Sequence, residues 1–267
     1  MRGFLVIEKR LNRVMKCFSI FLVVVIFSLQ AVEISAQGVE TRNVPAFNGV
    51  KVFGNIRVTL REGGRQSVKV RARGVEISKV NTFVDDGLLK IKMQEGIYNQ
   101  IDVRVDVVYR QLHEVAATGS AEVFVESLIE QNKLYLDVTS GGYARMRVDV
   151  DAVDINLHSG GQLDISGKAK NQQTKVVSGA GLFGYNLESD NVVIKANTGG
   201  TAEIFVKESI TGSASTGGNI KYKGRPRIEN IKGNLGGDRG CQSGQIHRII
   251  GTATTQITTS SGSPIGQ

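Results

Sequence analysis

The sequence predicts an all-β chain wound into a parallel β-helix-like solenoid with rungs of about 20 residues. Three observations carry that prediction: a phrase that recurs at nearly constant spacing, alternating apolar runs on either side of it, and a strand-forming composition. The phrase runs Thr118-Gly119-Ser120-Ala121, Ser140-Gly141-Gly142-Tyr143, Ser159-Gly160-Gly161-Gln162, Ser178-Gly179-Ala180-Gly181, Thr198-Gly199-Gly200-Thr201 and Thr216-Gly217-Gly218-Asn219. Its first glycines fall at 119, 141, 160, 179, 199 and 217, so the successive steps are 22, 19, 19, 20 and 18. Such a period marks stacked repeats, in which each copy buries little alone and its neighbours complete the core.

Each copy follows one grammar. An Asp or Asn leads into an alternating run, Ser/Thr-Gly follows, and a second alternating run closes the copy. Asp151 to Leu157 precedes Ser159-Gly160-Gly161, and Leu163-Asp164-Ile165 comes after it. Period-two alternation puts one face of a strand in the core and the other in water. Glycine supplies a corner where φ is positive, and the adjacent hydroxyl bonds the local backbone. Stacking such copies about 4.8 Å apart joins their apolar faces into one core. An antiparallel meander or sandwich is the rival, but two-residue hairpin signals are scarce in this stretch. The composition, with 32 Gly, 3 Pro, no Trp and alternating segments rich in Val and Ile, suits strands and argues against a helical protein.

Upstream, residues 1–36 read as a secretory signal. Arg10, Arg13 and Lys16 precede an apolar segment from Cys17 to Leu29, and a small residue, Ala36, marks the expected cut. That segment is shorter than the ~20 residues a spanning helix needs. Met15-Lys16 is an alternative start, and Cys17 lies too early in the leader to accept a lipid. Residues 37–44 read as a short linker. Residues 44–109 are all β without the glycine phrase and are expected to form a capping part. Within them, Asp85-Asp86-Gly87 makes a tight hairpin between Val80–Val84 and Leu88–Met93. The solenoid domain is expected over 45–235. Residues 236–267 form a Gly/Ser/Thr-rich segment, with one more rung over 246–257 before a disordered end.

Charge and chemistry exclude several functions. The leader holds five of the 33 basic and two of the 25 acidic residues, leaving 28 against 23, a net +5. These charges alternate along strands as on a solvated face, which argues against a nucleic-acid track. His113, His158 and His247 show no metal-ligand spacing, and in sequence none has a triad partner. The glycine pairs lack the Lys-Ser/Thr of a phosphate loop. Cys241 is the lone cysteine after cleavage, available for a free thiol or an intermolecular link. No catalytic, cofactor or metal residue is therefore assigned. The acidic set Asp137, Asp149, Asp151, Asp154 and Asp164 is the one enzyme lead, since stacked rungs bring acids close, as glycoside hydrolysis or Ca²⁺ requires. Solvated strand positions are its simpler reading. Tyr143, Arg145, Arg147 and Phe205 are the outward candidates for binding.

These segments together resemble a known family. Phe47-Asn48-Gly49-Val50-Lys51-Val52, Gly87-Leu88-Leu89-Lys90-Ile91-Lys92, the strand Ile101–Val107, Leu112-His113-Glu114-Val115 and Thr118-Gly119-Ser120-Ala121 occur in the order seen in the putative auto-transporter adhesin head GIN domain, common in secreted proteins of Bacteroidetes. The likeness covers roughly residues 45–235. The Gly-Ile-Asn string behind the domain's name is absent, and Arg110-Gln111-Leu112 stands where a proline is usual. The resemblance implies a right-handed β-helix-like fold outside the cytoplasm. The expected function is a secreted, non-enzymatic, adhesin-like binding or structural protein of the cell envelope. Its expected partners are an extracellular glycan, polysaccharide or surface protein. A carbohydrate-active β-helix enzyme, lyase-like or glycoside hydrolase-like, is the alternative.

Overall fold

The computed structural model describes residues 38–233 and, as backbone alone, residues 245–249. Cys241, the leader and the expected disordered end lie outside these residues. Among the described residues the chain is all β apart from a 3₁₀ turn at Ile77–Lys79, and its parallel rungs repeat about every 19 residues over about 6 turns.

The repeated part consists of long bent strands: β9 (Glu122–Thr139), β10 (Tyr143–His158), β11 (Gln162–Val177), β12 (Gly181–Asn197) and β13 (Thr201–Ser215). In β10, Ala144, Met146, Val148 and Val150 point inward, and then Val153, Ile155 and Leu157 do. The parity switches at Asp151-Ala152, where two successive residues point outward and the strand turns from one face to the other. We name the half before this bend the A face and the half after it the B face. Inward side chains of the two halves meet in one core, with each buried Val, Ile or Leu contributing ~1.5–3 kcal/mol. The Asp/Asn that opens each copy is thus the bend. There Ser209 Oγ donates to Asn191 Oδ1 at 2.7 Å, Asn191 donates to Asn171 at 3.4 Å, and Lys170 pairs with Asp151 at 2.5 Å.

The glycine phrase makes the opposite edge. Ser140 and Gly141 have φ of 53 and 74, and Gly142 N–H donates to Thr139 O at 3.0 Å, the pattern of a type I′ turn. A hairpin turn is used here without a hairpin: β9 and β10 pair in parallel, and the halves the turn joins face one another across the core. The turns stack, Gly141 N–H donating to Ser159 O and Gly160 N–H to Ser178 O, each at 3.1 Å. At the third turn position a β-carbon on Gly161 would lie 2.1 Å from Val138 O, so the turn rests directly on the preceding rung's backbone.

The first copy differs by one residue from its sequence alignment. Thr118 pairs with Thr139, so Gly119 and Ser120 occupy the places of Ser140 and Gly141. The step to Gly141 is then 21, counted from Ser120.

The N-terminal part is more than the expected cap. Its strands are β1 (Gly38–Arg42), β2 (Gly49–Phe53), β3 (Arg57–Glu62), β4 (Ser67–Arg73), β5 (Val80–Asp85), β6 (Leu88–Met93), β7 (Asp102–Tyr109) and β8 (Glu114–Thr118). Strand β2 pairs in parallel with both β6 and β8, while β3 pairs in parallel with both β7 and β9. The first rung in sequence is therefore inserted between two later ones. Among the described residues only the outermost strands are antiparallel: β1 and β4 close the A face, and β5 closes the B face through the expected hairpin to β6. Residues 38–42, within the segment read as a linker, are that outermost strand. At the other end β14 (Asn219–Lys223) and β15 (Ile228–Gly233) continue the A and B faces, and β16 (Gln245–Ile249), the described start of the expected last rung, pairs with β14.

Candidate functional site

The A face carries a row of aromatic and cationic side chains placed by strand register. The fourth residue after each left-handed turn residue (Ser120, Gly141, Gly160, Gly179, Gly199, Gly217) points outward: Phe124, Arg145, Asp164, Phe183, Glu203 and Lys221. These positions pair strand to strand, so they form one ladder. From β9 to β13 it crosses four inter-strand steps, roughly 19 Å. The Phe124 and Tyr143 rings lie 5.8 Å apart, tilted 55°. The Arg57 guanidinium sits 5.9 Å over Phe124 and donates to Glu122 at 2.7 Å. The hydrogen bond that Arg57 donates to Glu122, then the charge of Glu122, raise the Arg57 pKa. Arg145 lies 5.8 Å over Tyr143 and donates to Asp164 at 2.9 Å.

At the far end Lys223 Nζ lies 4.8 Å from the Phe205 ring and 5.9 Å from Tyr185. Tyr185 sits in a bulge where β12 carries extra residues between Gly184 and Glu188. Its buried hydroxyl finds no hydrogen-bond partner, and burial, then the charge of Glu203, push its pKa up to about 12. Phe183 is the bare ring of the row, 48 % exposed. Rings flanked by charges at fixed spacing offer stacking surfaces and hydrogen-bonding groups together, the chemistry of a binding surface.

Of the sequence candidates, Tyr143, Arg145, Arg147 and Phe205 all lie outward on this face. Phe124, Phe183, Tyr185 and Lys223 were missed. Counting four residues on from each left-handed turn residue finds the first two; the Tyr185 bulge leaves no such signal.

The acidic set is not brought together. Asp149 and Asp164 lie on the A face, Asp151 at the bend, Asp137 and Asp154 on the B face. Asp164, Asp154 and Asp151 are engaged by Arg145, Lys133 and Lys170. On the B face, Asp137 and Asp154 border a shallow depression of about 420 Å³ with Glu114, Tyr135, Lys175 and Lys195. Beside the adjacent Ser159, whose Oγ is 3.3 Å from Nδ1, His158 has two neighbours that its sequence context hides: Nδ1 is 2.9 Å from Thr139 Oγ1, and Nε2 is 3.9 Å from Asp137. The last distance is too long for a hydrogen bond, and Thr139 is buried. The left-handed backbone of Ser159 recurs at Ser140, Ser178, Thr198 and Thr216, so it belongs to the turn and marks no nucleophile. Among the described residues no group of His, Cys, Asp and Glu is arranged to hold a metal ion.

The architecture defines the class: a parallel β-solenoid with an outward row of aromatic and charged side chains. The chain belongs to the family described as putative auto-transporter adhesin, head GIN domain, whose model matches residues 46–226. Similar solved structures include a putative adhesin from Bacteroides fragilis, with TM-score 0.69 and 14 % identity over 80 % of this chain and 95 % of that one. Another is a putative adhesin from Parabacteroides distasonis, with TM-score 0.60 and 20 % identity over 81 % and 98 %. A putative lipid binding protein from the same species has TM-score 0.57 and 15 % identity over 80 % and 96 %. At these identities the likeness is one of fold. No curated protein matches the chain.

Proposed function

We propose that the chain is a non-catalytic binding protein of the cell envelope, exported by its N-terminal signal, that grips an extended surface polymer along its A face. The observation that carries this reading is the A-face row from Phe124 to Lys221 with the neighbouring rings Tyr143, Tyr185 and Phe205, which sets rings and charges side by side over a length suited to several units of a glycan chain. Family membership supports an adhesin-like role. The B-face carboxylates favour a second reading, a carbohydrate-active enzyme, but Asp154 is tied to Lys133 at 3.1 Å and Asp137 accepts from Asn156 at 3.2 Å.

The test is binding of the chain from Gln37 to a glycan and polysaccharide array, with a parallel assay for cleaved products. Saturable binding without cleavage, weakened roughly ten-fold by Phe183→Ala, is expected. Cleavage abolished by Asp154→Asn or Asp137→Asn would replace this reading with the enzymatic one.

A further inference from the structure

We propose that the N-terminal end of the B face docks onto an anionic lipid surface. Three strands converge there. Register sets Phe83 beside Lys90 and Lys90 beside Lys51, while the adjacent row sets Lys92 beside Phe53. Lys51, Phe53, Phe83, Lys90, Lys92 and Met93 line a shallow depression of about 520 Å³. A second depression shares Met93 and Gly54 with it and runs onto the 94–101 loop. That loop holds Ile97 out in solvent at 95 % exposure, and Phe83 is 40 % exposed. Large apolar side chains at such exposure on two neighbouring elements are unpartnered in the isolated chain.

The charges choose the partner. Lys90 is paired with Asp85 at 2.5 Å, and Glu95 stands on the loop. Among the described residues neither Lys51 nor Lys92 has a carboxylate partner. Instead Lys51 Nζ lies 5.4 Å over Phe53 and Lys92 Nζ lies 5.7 Å over Phe83. Each ammonium is thus carried over an aromatic ring. This is the arrangement of an interfacial contact: rings and an aliphatic tip enter the boundary of the acyl layer while cations stay at the level of anionic headgroups. On the A face Arg57 and Arg145 already have carboxylates, and Lys223 is the cation over rings without one among the described residues. The patch lies on the opposite face from the aromatic–cation ladder, so lipid docking leaves the ladder free.

The experiment is sedimentation of the chain from Gln37, itself within the compact unit Ala36–Gln267, with vesicles of phosphatidylcholine containing phosphatidylglycerol and with phosphatidylcholine alone. Binding to the anionic vesicles that weakens with salt is expected. Each free lysine at an anionic surface is worth about five-fold in partitioning, so Lys51→Gln with Lys92→Gln should lower it about 25-fold. Ile97→Ser with Phe83→Ser should also reduce it, and Phe183→Ala on the A face should leave it unchanged. The chain has no tryptophan, so Ile97→Trp provides a single reporter whose emission should shift to the blue on anionic vesicles. Equal binding to neutral vesicles, no binding to either, or full binding by the double lysine variant would each overturn the proposal. Loss of glycan binding in Phe183→Ala with intact vesicle binding separates the two readings.

Discussion

The two faces of the solenoid handle length differently. Across the B face the strands pair without interruption from β8 to β13, while the register shifts of the repeated part lie on the A face and at the bend, between Arg145 and Arg147, Asp164 and Ser166, Gly184 and Glu188, and Ser189 and Asn191. Unequal steps in the sequence are therefore absorbed as bulges on one side. The reason lies at the turn edge, where each backbone rests on the one before it and two successive left-handed residues fix the chain's exit. An extra residue there would break contact with both neighbours. Among the described residues the repeated A-face strands carry no pair of successive left-handed residues, and their bulges re-aim outward side chains such as Tyr185. The rigid half holds the repeat, and the adaptable half carries the candidate ligand surface.

An insertion tests this difference most severely. One alanine placed between Ile155 and Asn156 on the B face would swap inward and outward side chains up to the turn, and should cost more than about 4 kcal/mol. The same insertion beside Glu126, where β9 already carries extra residues, should cost under about 1.5 kcal/mol. Urea unfolding midpoints compare them, and equal costs would end the distinction.

Next in size is Gly161→Ala, whose β-carbon would meet Val138 O at 2.1 Å and should cost roughly 3 kcal/mol. Ala180→Gly, at the equivalent turn position, should cost only about 0.5–1 kcal/mol. The third test lies inside the core, where Ser189 donates to Gln172 at 2.7 Å and Gln172 donates to Thr174 at 2.9 Å. Gln172→Ala leaves both hydroxyls without their partner and should cost about 1–3 kcal/mol, whereas replacing all three by apolar residues of similar shape should be nearly neutral.

A pH effect belongs to the A face. Tyr109 is only 2 % exposed, and burial, then the charge of Glu62, raise its pKa to about 12. Its hydroxyl has no partner in hydrogen-bond geometry, and the lowering influence of nearby Ser127 is outweighed. Because the folded value lies above the unfolded 10.0, the folded state holds this proton more tightly. Its contribution is present below pH 10 and fades as pH rises toward 12. Stability should fall over that window, and Tyr109→Phe should flatten part of the fall. The smallest effect expected is at Thr198, a β-branched residue held at φ 48. Thr198→Asn, which tolerates that conformation, should raise stability by about 0.5–1 kcal/mol, read from the thermal midpoint.

Much of this was legible in the residues. The alternation of Asp151 through Leu157 marked a strand with one buried face, Ser159-Gly160 the turn and Asp85-Asp86-Gly87 the hairpin, because local backbone preference and solvent partition act over a few residues. The outward ladder was legible in part: Tyr143, Arg145 and Arg147 follow from strand parity alone. Phe183 follows from a count of four residues on from Gly179, whereas Tyr185 required its bulge. The neighbours of His158 were hidden because Thr139 and Asp137 belong to the preceding rung.

The sequence by itself determined the all-β class, the rung length, the turn and bend residues and the inward set, since each depends on alternation or on the φ a residue tolerates. Only the tertiary structure decided that β2 and β3 lie between later strands, that length differences collect on the A face, and which charges meet which rings. Those outcomes depend on pairing between segments far apart in the chain, where many registers satisfy the same local pattern and packing between rungs selects one.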